Sequence, residues 1–135
     1  MNVKALIFDI DGTILNSRGK MTEATYHAIK ECACKGLLVS IATARPKRMV
    51  FRPGEVDGEY GFLLERGICY NGGTVFDKLN HFYQHTAIPG TIVQRVVNTV
   101  LEYDDSLQIV LQHDDEYHAF KIPIQVEQLA GWGFV

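Results

Sequence analysis

The sequence predicts an α/β fold built on a parallel sheet, from three observations. Short apolar runs stop at turn residues, a helical stripe lies between the first two runs, and polar side chains gather where the runs end. Val3 to Phe8 is apolar but for Lys4 and is bounded by turn residues, the pattern of a strand buried on both faces, as in a parallel sheet. It stops at Asp9. Thr22 stands where it can cap a helix running to about Lys35, with Ala24, Ala28, Ile29 and Ala33 on one stripe and Gly36 to end it. Leu37 to Thr43, "LLVSIAT", is a second buried strand, so strand, helix and strand form a unit whose crossover should be right-handed. Arg45 to Phe51 reads as a short helix and Arg52 to Gly61 as a Gly-rich, acidic loop. A third strand, about Gly67 to Tyr70, ends in "NGG", Asn71 to Gly73.

Beyond this the pattern changes. "TVFD" and "HFYQH" flank "KLN" as an antiparallel hairpin, and Pro89 opens a helix. Ile92, Val93, Val96, Val97, Val100 and Leu101 fall on one face of that helix. "LQIVLQ" and "EYHAFKI" around "HDD" make a second hairpin. The expected organisation is a parallel core over 1–72, a hairpin, helix and hairpin module of α+β type over 73–122, and an irregular tail over 123–135.

Composition narrows the function classes. With 135 residues, 47% of them hydrophobic, the chain fits an ordinary soluble domain with a real core. A formal charge of −3 with no basic stripe argues against a nucleic-acid surface, Lys47 and Arg48 being a pair rather than a patch. Apolar runs broken by Asp9, Ser40 or Arg45 leave no membrane span, and the start lacks a long apolar leader, so a cytoplasmic protein is expected. Cys32, Cys34 and Cys69 have no CxxC spacing and read as neutral or buried thiols.

The chemistry should lie at the strand ends, because ligands of parallel α/β sheets bind beyond the carboxyl ends of the strands. Asp9, Thr43 and Asn71 all occupy such ends. Asp9 and Asp11, two apart in extended chain, can point to one side and make a hard oxygen site suited to Mg²⁺. Gly12 permits close backbone approach, so amides around Asp11 and Gly12 can donate to phosphate oxygens while Thr43 adds a hydroxyl. The plain alternative is one Asp capping a turn and another in solvent, since D-G is a common turn signal. The joint occurrence of the three strand ends favours the site.

"FDIDGTILNS" resembles the first motif of the haloacid dehalogenase (HAD) superfamily, and "IATARP", Ile41 to Pro46, resembles its second. "ICYNGGTVFD", Ile68 to Asp77, is similar to the segment leading from core to cap in the Cof-type, class IIB branch of sugar-phosphatase-like members. The resemblance runs over about residues 1 to 121 and implies the N-terminal part of a Rossmann-like core followed by a partial cap. It implies Asp9 as nucleophile forming an aspartyl phosphate, Asp11 as general acid and then base, and Mg²⁺ held by the Asp9 carboxylate and the Asp11 carbonyl. Asp11, Gly12, Thr43 and Ala44 would hold the phosphate, with Arg45 and Asn71 nearer the cap and a small phosphorylated metabolite as substrate. Ala44 stands where family members usually carry Gly.

A larger departure concerns the family's later motifs, a lysine and a GDxxxD-like acidic run that follow the cap. After Lys121 the only charge is Glu127, and "HDDE", His113 to Glu116, reads as a solvated turn. The alternative expectation is therefore a truncated, catalytically inactive remnant that binds metal, phosphate or a partner, or one completed by a partner chain. A short core is also expected to expose a sheet edge and form a homo-oligomer through it. A receiver-like module phosphorylated on Asp fits the acidic residues after the first strand but not Asn71 at the end of the third. His81 and His85 are expected as surface residues, Trp132 as a ring covering exposed core, and the tyrosines as packing groups.

Overall fold

The computed structural model describes residues 3–51, 54–57, 59–113, 115 and 117–131. They form two compact units, one ending at His85 and the other beginning at Thr86. The first contains a five-stranded sheet in the order β1 (Ala5–Phe8), β2 (Leu38–Ala42), β3 (Arg66–Cys69), β4 (Thr74–Asp77) and β5 (Phe82–His85). The first three strands are parallel, with Phe8 opposite Ile41 and Ala42 opposite Ile68. β4 and β5 add antiparallel, with Cys69 opposite Thr74 and Thr74 opposite His85. The predicted hairpin is thus present, but it extends the sheet from β3, and the compact unit runs past Gly72 to His85.

Helix α1 (Glu23–Cys34) joins β1 to β2 and begins as predicted, with Thr22 Oγ1 accepting from the Thr25 amide at 3.2 Å. It ends in a Schellman motif at Gly36, φ +82°, where the Gly36 amide donates to Ala33 and the Leu37 amide to Cys32. Of the expected stripe, Ile29 is buried and Ala33 packs half-buried against the core. Tyr26 and Ile29 are buried while Ala24 and Ala28 face solvent, because a large ring removes more apolar area from water than a methyl.

β1 also differs from its apolar reading. It is an edge strand with alternating exposure, Ile7 being 59% exposed, whereas β2 in the interior buries Val39, Ser40 and Ile41. The apolar run is real, but its outer face is uncovered among the described residues. The core gathers Ile10, Ile14 and Leu15 from the loop after β1, Val50 and Phe51 from the segment after β2, and Leu63, Cys69 and Phe76. Gly67 is required at its position by space: a Cβ there would lie 2.8 Å from the Phe76 ring and 3.0 Å from Ile41 Cγ1.

Between Arg45 and Phe51 only a single 3₁₀ turn forms, Lys47–Met49, since Pro46 holds an extended backbone before it. Lys47 lies over the rings of Phe76 at 5.3 Å and Tyr83 at 5.2 Å, so its charge is used in packing.

In the second unit, helix α2 (Gly90–Tyr103) starts after Pro89 as predicted, with Ile92 and Val96 exposed and Val93, Val97, Val100 and Leu101 half-buried. β6 (Val110–His113) and β7 (Tyr117–Phe120) form the second hairpin, extended by the Gln108 side chain, which bonds both the amide and carbonyl of Ile122. Helix α3 (Val126–Gly131) lies in the segment expected to be irregular. Six residues are too few to display a helical period. Trp132 lies outside the described residues.

Candidate functional site at the carboxyl ends of the parallel strands

Three loops leave the sheet side by side. The loop after β1 carries Asp9 and Asp11 and is anchored by Ile10, which is fully buried between them and whose carbonyl accepts from the amides of Thr13 and Leu15. Gly12 takes φ +73°, the left-handed turn predicted for the D-G pair, and no atom lies within 4 Å of a Cβ there. Asp9 is exposed at the end of the strand.

The loop after β2 begins at Thr43, which is 6% exposed and whose amide donates to Ile68 of β3 at 2.9 Å. Its hydroxyl oxygen accepts from the Arg45 amide at 3.1 Å, an arrangement that leaves the O–H as a donor. Ala44 is exposed and is not among the residues with positive φ, so the methyl in place of the family's usual Gly brings no backbone strain.

The loop after β3 is strained. Tyr70 and Asn71 both take positive φ, 54° and 53°, before Gly72 at 98°. Two backbone bonds hold them: the Tyr70 amide donates to the Arg45 carbonyl at 3.1 Å and the Asn71 amide to the Thr43 carbonyl at 3.3 Å. The strained turn is thereby strapped onto the loop after β2, which is where such strain is found when surrounding structure over-determines it. Arg48 Nη1 adds a bond to Tyr70 Oη at 3.2 Å.

Arg45 is the electrostatic centre. One edge of its guanidinium forks onto Asp11, Nε to Oδ2 at 2.8 Å and Nη2 to Oδ1 at 2.6 Å. The other forks onto Glu55, Nη1 to Oε2 at 2.6 Å and Nη2 to Oε1 at 2.9 Å, while Nη1 also reaches the carbonyls of Met49 and Val50. The Arg45 side chain is 9% exposed, Glu55 12% and Asp11 62%, so the pairs lie along a gradient from core to solvent. Hydrogen bonds donated to Glu55 first and Asp11 second hold the guanidinium further above its already high ordinary pKa. The guanidinium of Arg45, a residue expected toward the cap, is directed between these two carboxylates. Glu55 carried no signal in the sequence, being one acid in a loop with several.

Asp9, Asp11, Gly12, Thr43, Ala44, Arg45 and Asn71 therefore occupy loops at one end of the sheet, and the bonds of Arg45, Tyr70 and Asn71 tie those loops together. His85 lies elsewhere, its Nδ1 against Thr74 Oγ1 at 2.9 Å, and His81 is in a turn. The exposed Asp9 carboxylate and the Asp11 carbonyl are hard oxygen donors and match Mg²⁺ in kind. Among the described residues no group of three His, Cys, Asp or Glu side chains is placed to hold one ion. Two oxygens suit an ion that keeps most of its shell as water and substrate oxygen.

A mixed sheet whose three parallel strands carry two aspartates, a buried hydroxyl and a strapped strained turn at their carboxyl ends defines the class, an α/β protein of the HAD type. The chain belongs to the haloacid dehalogenase-like hydrolase family, whose profile it matches over residues 6–129. Over 108 residues it is 32% identical to a Streptococcus pyogenes serotype M6 protein named "Putative phosphatase", covering 80% of this chain and 35% of that protein. The fold matches a HAD phosphatase from Bacteroides thetaiotaomicron with a TM-score of 0.67 at 23% identity, covering 96% of this chain and 46% of that one. It matches a subclass IIB sugar phosphatase with a TM-score of 0.65 at 23% identity, covering 87% and 43%. The chain thus spans about a third of the curated relative and under half of either solved structure.

Proposed function

We propose that the chain carries the nucleophile-bearing part of a Mg²⁺-dependent phosphohydrolase of Cof-type, class IIB character, acting on a small phosphorylated metabolite such as a sugar phosphate. The observation that carries this reading is the loop after β1, where exposed Asp9 and Asp11 flank the buried anchor Ile10 beside Thr43. An Asp9 carboxylate oxygen attacks phosphorus, the ester P–O bond breaks, and Asp11 gives its proton to the leaving oxygen. Asp11 then takes a proton from water, which attacks the aspartyl phosphate and releases inorganic phosphate with Asp9 restored. The Thr43 hydroxyl, with amides around Asp11, Gly12 and Ala44, orients the phosphoryl oxygens. The Asp9 carboxylate and the Asp11 carbonyl would hold Mg²⁺, which would supply positive charge against the developing oxyanions. A cytoplasmic setting without nucleic acid or membrane belongs to the same reading; among the described residues no helix is long and apolar enough to cross a membrane. So does self-association, supported by the exposed apolar β1 edge.

A second reading, binding of metal, phosphate or a partner without turnover, is favoured by one observation: the described residues place no third ligating side chain beside the pair. Phosphate release from p-nitrophenyl phosphate by the purified chain and by Asp9→Asn, with and without Mg²⁺, separates them. Mg²⁺-dependent release lost in Asp9→Asn supports hydrolysis. Equal rates from both proteins remove it and leave the binding reading.

A further inference from the structure

We infer that Glu55 is a positioning residue for the acid/base carboxylate, acting through Arg45. This inference rests on the phosphohydrolase reading for its catalytic consequence and on geometry alone for its structural one. An arginine holds a carboxylate in a fixed plane only if the guanidinium plane is itself fixed, and a bond to one partner leaves rotation about that edge. Here the fork to Asp11 uses Nε and Nη2, and the fork to Glu55 uses Nη1 and Nη2, so two edges, one toward solvent and one toward the core, define one plane. Of the two acids, Glu55 is the buried one and Asp11 the exposed one, which makes Glu55 the anchor and Asp11 the group being aimed.

Glu55 is held in turn. Its carbonyl accepts from the Met21 amide at 2.7 Å, and its neighbour Val56 and the nearby Val50, Phe51 and Met21 are buried in the core. The aim of Asp11 is therefore transmitted from packed residues through Glu55 and Arg45. A carboxylate offers about four lone-pair sites, so the Arg45 fork orients Asp11 without exhausting its capacity to take a proton from the attacking water. Without Glu55 the guanidinium would keep its charge in a nearly closed site with one solvent-exposed acid and two carbonyls as partners, a poorly compensated buried cation. It would then turn toward water and release the plane of Asp11.

The test uses the full chain. Hydrogen exchange of the Arg45 Nε–H, identified by its loss in Arg45→Lys, is followed by ¹⁵N NMR in wild type, Glu55→Gln and Glu55→Asp. Nε bonds Asp11 and not Glu55, so a change there is transmitted through the guanidinium. The expected result is exchange about 10–100-fold faster in Glu55→Gln, on the scale found when supporting partners of functional groups are removed, with partial recovery in Glu55→Asp. Unchanged exchange in Glu55→Gln overturns the positioning role, and Glu55→Asp decides in the same way if Glu55→Gln does not fold. In parallel, Asp9-dependent turnover of p-nitrophenyl phosphate should lose kcat by a similar factor with KM little changed. A loss confined to KM, or none, overturns the catalytic consequence. If wild-type turnover does not depend on Asp9, the phosphohydrolase reading falls, and the exchange measurement still decides whether Glu55 positions Asp11.

Discussion

Gly67→Ala tests whether the floor beneath the site is packed as tightly as the geometry says. The added methyl would lie 2.8 Å from Phe76 Cε1 and Cζ and 3.0 Å from Ile41 Cγ1, inside contact distance on both neighbouring strands. Neither neighbour yields easily, since Phe76 is 4% exposed and Ile41 fully buried. Overpacking of this kind costs about 1–3 kcal/mol. Replacing Gly by Ala inside a strand returns about 0.5–1 kcal/mol of backbone entropy. The net expectation is destabilisation of about 0.5–2 kcal/mol, read as a lower urea midpoint at unchanged slope by circular dichroism. In a Phe76→Leu background the ring edge is gone, so Gly67→Ala should cost about 1 kcal/mol less, a coupling of the size expected for residues in contact. Equal costs in the two backgrounds, or a stabilised Gly67→Ala, would refute the contact and with it the close pairing of β2, β3 and β4 under the strained turn.

The remaining predictions concern pH and association. Asp77 has its pKa lowered, first by the Asn80 side chain and then by Arg66, so its contribution to stability is present above the ordinary Asp range and is lost as pH falls through the lower folded value. Asp77→Asn should flatten the acid limb of the stability curve, and an acid limb identical to wild type in urea titrations would count against it. The β1 edge, with Ile7 59% and Val3 47% exposed, should pair with a second copy, so Ile7→Lys should convert a sedimenting dimer to monomer with little loss of stability. A wild-type monomer at micromolar concentration would refute the pairing.

Much of this fold was legible because its signals are local. Thr22, Gly36 and Pro89 mark helix ends through backbone chemistry that any helix must satisfy, and each stands where it was read. The strand ends were legible for the same reason: an apolar run must stop where Asp9 or Asn71 begins. What was not legible depended on distant partners. Tyr26 is buried because Ile29 and Phe62 lie near it, Tyr26 and Phe62 meeting edge to face at 6.2 Å, and no period in the helix reveals a neighbour from the segment before β3. The joining of β4 to the parallel sheet required knowing that Gly67 leaves room for Phe76. Glu55 was hidden for the strongest reason. Thirty-four residues separate Arg45 from Asp11 and ten separate it from Glu55, and only folding brings the three onto one guanidinium.

The same three residues set the electrostatic terms on which any chemistry here must run. Two carboxylates, Asp11 and Glu55, meet the guanidinium of Arg45, and its two forks commit that cation to them. On the proposed reading Asp9 would face an arriving phosphate dianion with like charge, and the hydroxyl of Thr43 and nearby amides would contribute dipoles rather than net charge. Dipoles can orient the phosphoryl oxygens, but bringing a carboxylate onto a dianion requires net positive charge at the point of attack. On the proposed reading that charge would be supplied by a cation held at the exposed end of β1. On that reading, removing Asp9 would remove two things at once, the attacking oxygen and a ligand for the cation. Asp9→Asn, which keeps the shape and takes the charge, is for that reason a more informative substitution than any truncation of the loop.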